Sequence, residues 1–106
     1  MAAGYRVLFP VPVGGAADLG RVPDGAMPLL DTAVPGLHGG TGAAFDWSLA
    51  AGLERAIVVA GGLDPGNVAD AVAATGAWGV DVASGVERRP GVKDPDAMRR
   101  FVEAVR

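Results

Sequence analysis

Short apolar runs alternate along this chain with stretches that have helical spacing. Val7–Val13 and Met27–Leu30 are apolar, and Ala56–Ala60 is continuously apolar, as expected of a parallel strand that is covered on both faces. Trp78–Ala83 is the fourth run. Each run predicts a strand, and their alternation with helix-like stretches predicts an α/β fold with a parallel sheet and helices packed outside it.

The stretches between the runs predict helices. Phe45, Leu49 and Leu53 recur every four residues, which puts them on one helical face. Asp64-Pro65 and Asp94-Pro95 each predict a helix start, with aspartate as the N-cap and proline in the first helical position. The alternation therefore gives four strand–helix units, of which the first has only a stub of helix.

Several single residues refine this prediction. Gly76 is a natural C-terminal glycine for the helix that starts at Asp64. Pro10 and Pro12 remove donors from the first strand and favour a sheet edge or a strand end. Trp47 and Trp78 are expected to pack helices onto the sheet. The last helix should bury an apolar stripe formed by Met98, Phe101, Val102 and Val105.

Composition narrows the class of protein. The 106 residues allow one domain, 1–106, and half of them are hydrophobic, so a packed core is expected. The net charge is −3 and the basic residues are scattered, which argues against nucleic-acid partners and anionic membranes. No apolar stretch is long enough for a membrane span or a signal peptide, so a cytoplasmic protein is expected.

Few residues in this sequence are suited to binding a metal ion or to thiol chemistry. The chain has no cysteine, which excludes disulfides and thiolate sites. Its only histidine, His38, lies in a predicted loop, and the carboxylates form no ligand cluster around it. We expect no bound metal.

Three apolar runs lead into glycine-rich turns. These turns contain Gly39-Gly40-Thr41-Gly42, Gly61-Gly62-Leu63 and Ser84-Gly85. If they leave the same ends of neighbouring parallel strands, their backbone N–H groups surround one pocket that suits a phosphate-bearing ligand. Each turn could also be an ordinary connection, and the first could act as a lid.

Two aspartates stand out by position. Asp31 ends an apolar strand beside a glycine-rich turn, where α/β proteins place their chemistry, although it could simply cap that turn. Asp81 lies inside the fourth apolar run, where a charge is costly unless it is paired or faces a pocket. It could form a salt bridge to an arginine or Lys93, or bind a sugar hydroxyl.

Five linked motifs together resemble a known family. They are Leu29-Leu30-Asp31-Thr32, Gly39–Gly42 with Phe45-Asp46-Trp47, Ala60–Leu63 followed by Pro65 and Asn67-Val68, Gly79–Val82 with Ser84–Glu87, and Pro90–Asp94. In this order and spacing they resemble the C-terminal half of phosphoribosylanthranilate isomerase, a (βα)8-barrel enzyme of tryptophan biosynthesis. The resemblance implies a parallel (βα)4 half of a TIM barrel, with strands five to eight.

The resemblance also implies an activity and a site. The family carries out an Amadori rearrangement of a phosphoribosyl substrate, in which a general acid assists ring opening and a general base removes the C2 proton, without an organic cofactor. By resemblance Asp31 is the general acid and Asp81 faces the sugar. The substrate- and phosphate-binding positions implied are Gly39, Gly40 and Thr41 in a mobile loop, and Gly61, Gly62, Ser84 and Gly85 in the turns after strands seven and eight.

The chain also departs from the family pattern. The family's base is a cysteine on the first strand, which this sequence lacks, and Ala83 replaces the first serine of a Ser-Ser-Gly turn. A complete barrel takes about 250 residues. We therefore expect two open sheet edges that are completed by a homodimer or by an N-terminal half barrel. The alternative is a non-catalytic phosphate-binding half-barrel module.

Overall fold

Four parallel strands form the sheet in the computed structural model, which describes residues 7–15, 20–32, 46–53 and 55–106. The strands lie in chain order, β1-β2-β3-β4. Their bounds are β1 (Val7–Val13), β2 (Ala26–Thr32), β3 (Val58–Val59) and β4 (Gly79–Val80). The predicted parallel α/β arrangement is confirmed.

The first two strands form the longest pairing of the sheet. Their register runs from Val7 opposite Ala26 to Val13 opposite Thr32. Within the described sheet β1 is an edge strand. This agrees with the sheet edge or strand end that Pro10 and Pro12 predicted, because proline lacks the N–H group that would pair with a second neighbouring strand. The buried residues of this pair are Val11, Val13, Pro28 and Leu30.

The two later strands are short, and the fourth is shorter than the sequence predicted. Backbone hydrogen bonds extend the ladder past their ends, from Ala60 N to Leu30 O (2.7 Å) and from Asp81 N to Val59 O (2.9 Å). The predicted strand from Trp78 to Ala83 is reduced to β4, so Asp81 lies just beyond it and is exposed rather than inside a buried strand. The chain leaves the sheet there because it turns into a 3-10 helix at Ser84.

Two α-helices follow the later strands. Helix α1 spans Val68–Thr75 and helix α2 spans Pro95–Ala104. The predicted start of α2 is confirmed, because the Asp94 carboxylate accepts a hydrogen bond from Asp96 N at 3.0 Å. The end of α1 is also confirmed, since Gly76 has a φ of 67° and its N–H donates to Val72 O at 2.8 Å.

The predicted start of α1 is wrong by one turn. The Asp64 carboxylate accepts a hydrogen bond from Gly66 N at 2.7 Å and so caps a tight turn, and the N-cap of the helix is Asn67. The predicted helix around Leu49 is likewise only a 3-10 helix, Trp47–Ala50. Gly52 follows two residues after this 3-10 helix and has a left-handed φ of 75°. Phe45, which was predicted on the same helical face, lies outside the described residues.

The core lies between the sheet and one face of each helix. Helix α2 contributes Ala97 and Phe101, whereas Met98 and Val102 are 46% and 51% exposed, so the predicted apolar stripe is wrong in part. The neighbouring helix position points about 100° away from the buried face. Trp47 packs against the core as predicted, but Trp78 is 72% exposed, which contradicts the prediction made for it.

An antiparallel hairpin follows the last 3-10 helix. Its strands are β5 (Glu87–Arg89) and β6 (Val92–Lys93), joined through Gly91 with a φ of 79°. The sequence prediction missed it, although Pro90-Gly91 is a dipeptide typical of turns. Within the described residues, no helix has the length and apolar character needed to cross a membrane.

Candidate active site

Asp31 lies at the carboxyl end of β2 in direct contact with the next glycine turn. The side chain is half-buried, and its Oδ1 accepts a hydrogen bond from Thr32 N at 2.7 Å. A Cβ atom added to Gly61 would overlap Asp31 Oδ1 and lie 2.6 Å from Thr32 Oγ1. Only glycine leaves room here, so the carboxylate predicted as the acid and the first predicted phosphate turn are neighbours.

The first glycine turn has backbone angles that residues with side chains rarely adopt. Gly61 and Gly62 have φ values of 83° and 68°, both in the left-handed region. The Gly62 carbonyl accepts a hydrogen bond from Asn67 Nδ2 at 2.8 Å, and Asp64 N donates to Asn67 Oδ1, also at 2.8 Å. The side chain of Asn67 therefore joins the turn to the start of α1.

The second glycine turn is the 3-10 helix Ser84–Val86, and it contacts the first turn. A Cβ atom on Gly85 would overlap the carbonyl oxygen of Leu63 and lie 2.8 Å from its carbonyl carbon. The two turns are therefore packed backbone to backbone. Lys93 Nζ donates a hydrogen bond to Ala83 O at 3.0 Å, just before the turn.

Both turns present unpaired backbone donors. In residues 7–15, 20–32, 46–53 and 55–106, the N–H groups of Gly62, Leu63, Ser84 and Gly85 donate to no acceptor. Leu63 itself is only 3% exposed, and buried N–H groups are almost always paired in native proteins. The arrangement has the chemistry of an anion site built from backbone amides.

Asp81 follows the strand next to these turns. Its N–H group donates to Val59 O, and its side chain is exposed. The salt bridge considered between Asp81 and Lys93 is not formed, because Lys93 pairs with Glu87 at 2.9 Å. The predicted loop residues His38, Gly39, Gly40 and Thr41 lie outside the described residues.

The ion pair of the hairpin affects the charge at the second turn. Glu87 accepts a hydrogen bond from Lys93, and this bond, helped by the positive charge, lowers the pKa of the Glu87 carboxyl below its ordinary value of 4.5. Lys93 therefore faces an ionised partner at neutral pH. Within the described part of the chain, no group of three or more His, Asp or Glu side chains is placed to hold a metal ion.

The sequence prediction missed the residues that support the turns. Asn67 and Lys93 occurred in the motifs that carried the family resemblance, but nothing in their spacing indicated which backbone groups they contact. The pairing of Asn67 with the Gly62 carbonyl spans five residues, and that of Lys93 with the Ala83 carbonyl spans ten. Such contacts depend on how the chain folds back after each turn.

Known proteins resemble this chain over nearly its whole length. The sequence model of the family described as N-(5'phosphoribosyl)anthranilate (PRA) isomerase matches residues 6–104. The N-(5'-phosphoribosyl)anthranilate isomerase of Myxococcus xanthus is 54% identical over 104 residues, which are 95% of this chain and 49% of that protein.

Two solved structures show the same likeness. The phosphoribosyl anthranilate isomerase of Thermotoga maritima superposes with a TM-score of 0.79 at 36% identity, covering 94% of this chain and 51% of that one. A phosphoribosyl anthranilate isomerase in complex with reduced 1-(o-carboxyphenylamino)-1-deoxyribulose 5-phosphate superposes with a TM-score of 0.73 at 34% identity, covering 94% and 48%.

The match covers only part of each relative. Among the curated relatives, the chain spans between 36% and 52% of their length. The described fold is nevertheless of the same α/β type, with parallel strands and the TIM-barrel neighbours that the sequence predicted. The chain belongs to the phosphoribosylanthranilate isomerase family.

Proposed function

We propose that this chain is the acid- and phosphate-bearing half of a phosphoribosylanthranilate isomerase, strands five to eight of its barrel. In this role it takes part in the Amadori rearrangement of N-(5-phosphoribosyl)anthranilate to 1-(2-carboxyphenylamino)-1-deoxyribulose 5-phosphate. The observation that carries the proposal is the contact of Asp31 with the Gly61 turn, together with the contact of that turn with Gly85.

The phosphate group is assigned to the two glycine turns. Their free N–H groups come from neighbouring strand ends, and backbone amides bind phosphate without adding a charge. A relative that is 34% identical was crystallised with a 5-phosphate compound that is a reduced form of the product, which supports this ligand class. Gly39, Gly40 and Thr41 are proposed as a loop over the substrate.

Asp31 is proposed as the general acid. Its carboxylate lies at the carboxyl end of β2 beside the phosphate turn, so a ribose attached to a phosphate held there is within reach. A general acid at the ring oxygen must donate a proton as the ring opens. Asp81, exposed at the end of β4, is proposed to bind a sugar hydroxyl.

The general base and the strands that close the barrel are proposed to lie outside these 106 residues. The sequence has no cysteine, and β1 and β4 are the two edges of the described sheet. Apolar side chains are exposed near the first edge, Val7 and Leu8, and on α2, Met98 and Val102. Exposed edges and apolar surface favour association, either of two copies or with an N-terminal half barrel.

The test is turnover of phosphoribosylanthranilate, followed as loss of anthranilate-type fluorescence. The purified chain is measured alone and with the separately expressed N-terminal half of the Myxococcus xanthus relative. We expect turnover in the mixture, and Asp31→Asn should lower it by about 100-fold or more, as loss of a general acid does. Sedimentation of each sample reports whether the turnover belongs to a homodimer or to the two-half complex.

The alternative function is a phosphate-binding module without catalysis, which the match to the isomerase family does not favour. It predicts phosphate binding and no turnover in either sample. Turnover that is unchanged in Asp31→Asn would remove Asp31 from the mechanism.

A further inference from the structure

We infer that Asn67 and Lys93 are positioning residues that hold the two glycine turns in the form that binds an anion. The inference rests on the proposed phosphate site and adds the residues that build it. Neither side chain needs to touch the ligand. Each donates to one backbone carbonyl: Asn67 holds the Gly62 carbonyl within the first turn, and Lys93 holds the Ala83 carbonyl just before the second.

Asn67 holds the first turn from the α1 side. Its Nδ2 donates to Gly62 O at 2.8 Å and its Oδ1 accepts from Asp64 N at 2.8 Å, so the carboxamide uses both of its ends. The residues at both ends of these bonds are half-buried. Two bonds from one planar group fix the peptide units on either side of Leu63 more firmly than either bond alone.

Lys93 holds the second turn from the hairpin side. Its Nζ donates to Ala83 O at 3.0 Å and to Glu87 Oε2 at 2.9 Å. The hairpin is in turn tied to the turn by Asp94 N, which donates to Val86 O at 2.7 Å. The ammonium group therefore bridges the first and last parts of the segment Ala83–Glu87.

The geometry of the peptide bond links these contacts to anion binding. In a trans peptide the C=O and N–H groups point in opposite directions. The Gly62 carbonyl and the Leu63 N–H belong to one peptide unit, so the bond from Asn67 to that carbonyl directs the Leu63 N–H away from Asn67. In the same way, the bond from Lys93 to the Ala83 carbonyl directs the Ser84 N–H away from Lys93. Both N–H groups lack an acceptor within the described residues.

The two held turns act as one unit because they are in contact. Gly85 packs against the Leu63 carbonyl so closely that no side chain fits between them. A shift of either turn therefore displaces the other. This contact predicts that losing both positioning residues weakens binding by less than the product of the two single effects.

The test is titration of the nitrogen-15-labelled chain with inorganic phosphate, followed through the amide signals of Leu63, Ser84 and Gly85. We expect Asn67→Ala and Lys93→Met each to weaken binding about tenfold, the scale of one hydrogen bond to a charged group. Lys93→Arg, which retains charge and donors, should recover most of the affinity. Amide hydrogen exchange without phosphate should be faster at Asp64 in the first variant, because its N–H donates to Asn67 Oδ1, and at Val86 in the second, because its N–H donates to the Ala83 carbonyl that Lys93 holds.

Matched controls remove similar bonds elsewhere. Thr75→Val deletes a hydroxyl that donates to the Ala71 carbonyl (2.7 Å) and accepts from Ala77 N (3.1 Å). Arg100→Met deletes an ion pair with Asp96 on α2. Both should bind phosphate like wild type. Their melting temperatures show how much stability alone affects the signals.

The outcomes separate this inference from the proposed function. Phosphate binding by wild type that is unchanged in both Asn67→Ala and Lys93→Met would overturn the inference and leave the phosphate site standing. A wild-type chain that binds no phosphate would overturn the proposed site. The positioning role would then be decided by the exchange rates alone, and unchanged rates at Asp64 and Val86 would overturn it as well.

Discussion

The two glycine turns of the candidate site use glycine for different physical reasons. In the first turn, Gly61 and Gly62 adopt left-handed φ values that most side chains disfavour. In the second, Gly85 is required by space, since any Cβ atom would overlap the Leu63 carbonyl oxygen. The first turn needs glycine because of its left-handed backbone angles, and the second needs glycine because there is no space for a side chain. The sequence alone does not distinguish these two reasons.

The turns also differ in how they are held. A neutral carboxamide, Asn67, holds the first, whereas the ion pair of Lys93 and Glu87 holds the second. Protonation of Glu87 should therefore affect the second turn directly and reach the first turn only through the contact of Gly85 with Leu63. Each difference can be tested by substitution.

The largest effect is expected at Gly85. Gly85→Ala places a methyl group against the Leu63 backbone and should lower the free energy of unfolding by about 3 kcal/mol, as overpacking of a tight contact does. Urea denaturation measures this loss. Gly20→Ala is the control, because its added methyl meets nothing within 4 Å, and it should change stability by less than about 0.5 kcal/mol. Equal effects of the two substitutions would contradict the steric argument.

A smaller effect is expected at Gly62. Gly62→Ala should cost about 1–2 kcal/mol, the strain of a left-handed alanine, and Gly62→Asn should cost less because asparagine tolerates this conformation better. The measurement is again urea denaturation. At Gly85 asparagine should be no better than alanine, since the limit there is space. A Gly62→Asn variant as unstable as Gly62→Ala would show that strain is not the reason for glycine.

The smallest effect is expected from pH. The pKa of Glu87 lies below 4.5 in the folded chain because of its hydrogen bond to Lys93, so the unfolded chain takes up a proton first as pH falls. The stabilisation is therefore complete above the unfolded value and is lost as pH falls through the folded value. NMR titration should show the Glu87 carboxyl and the Ser84 amide changing together.

Glu87→Gln is the control for this titration. It should abolish that step at Ser84, together with any smaller step that the contact of Gly85 transmits to Leu63. A Ser84 amide whose titration survives in Glu87→Gln would show that another carboxyl controls the second turn.

Much of this fold could be predicted from the sequence because local rules were sufficient. The apolar runs predicted the parallel strands, and Pro10 and Pro12 predicted that β1 is a sheet edge or a strand end. The dipeptide Asp94-Pro95 predicted the start of α2. The predictions failed where a neighbour changed the local preference. The Asp64 carboxylate accepts from Gly66 N and so caps a tight turn before α1, and Trp78 is exposed beside a strand that is only two residues long.

The sequence by itself determined the family, the parallel arrangement and the residue types suited to an acid and an anion site, because periodicity, caps and motifs are properties of neighbouring residues. The tertiary structure alone decided that Gly61 touches Asp31, that Gly85 touches Leu63, and which carbonyls Asn67 and Lys93 hold. Those contacts depend on how adjacent strand ends and the following hairpin pack together. No spacing along the chain encodes that packing directly, because it depends on which backbone segments the folded chain brings together.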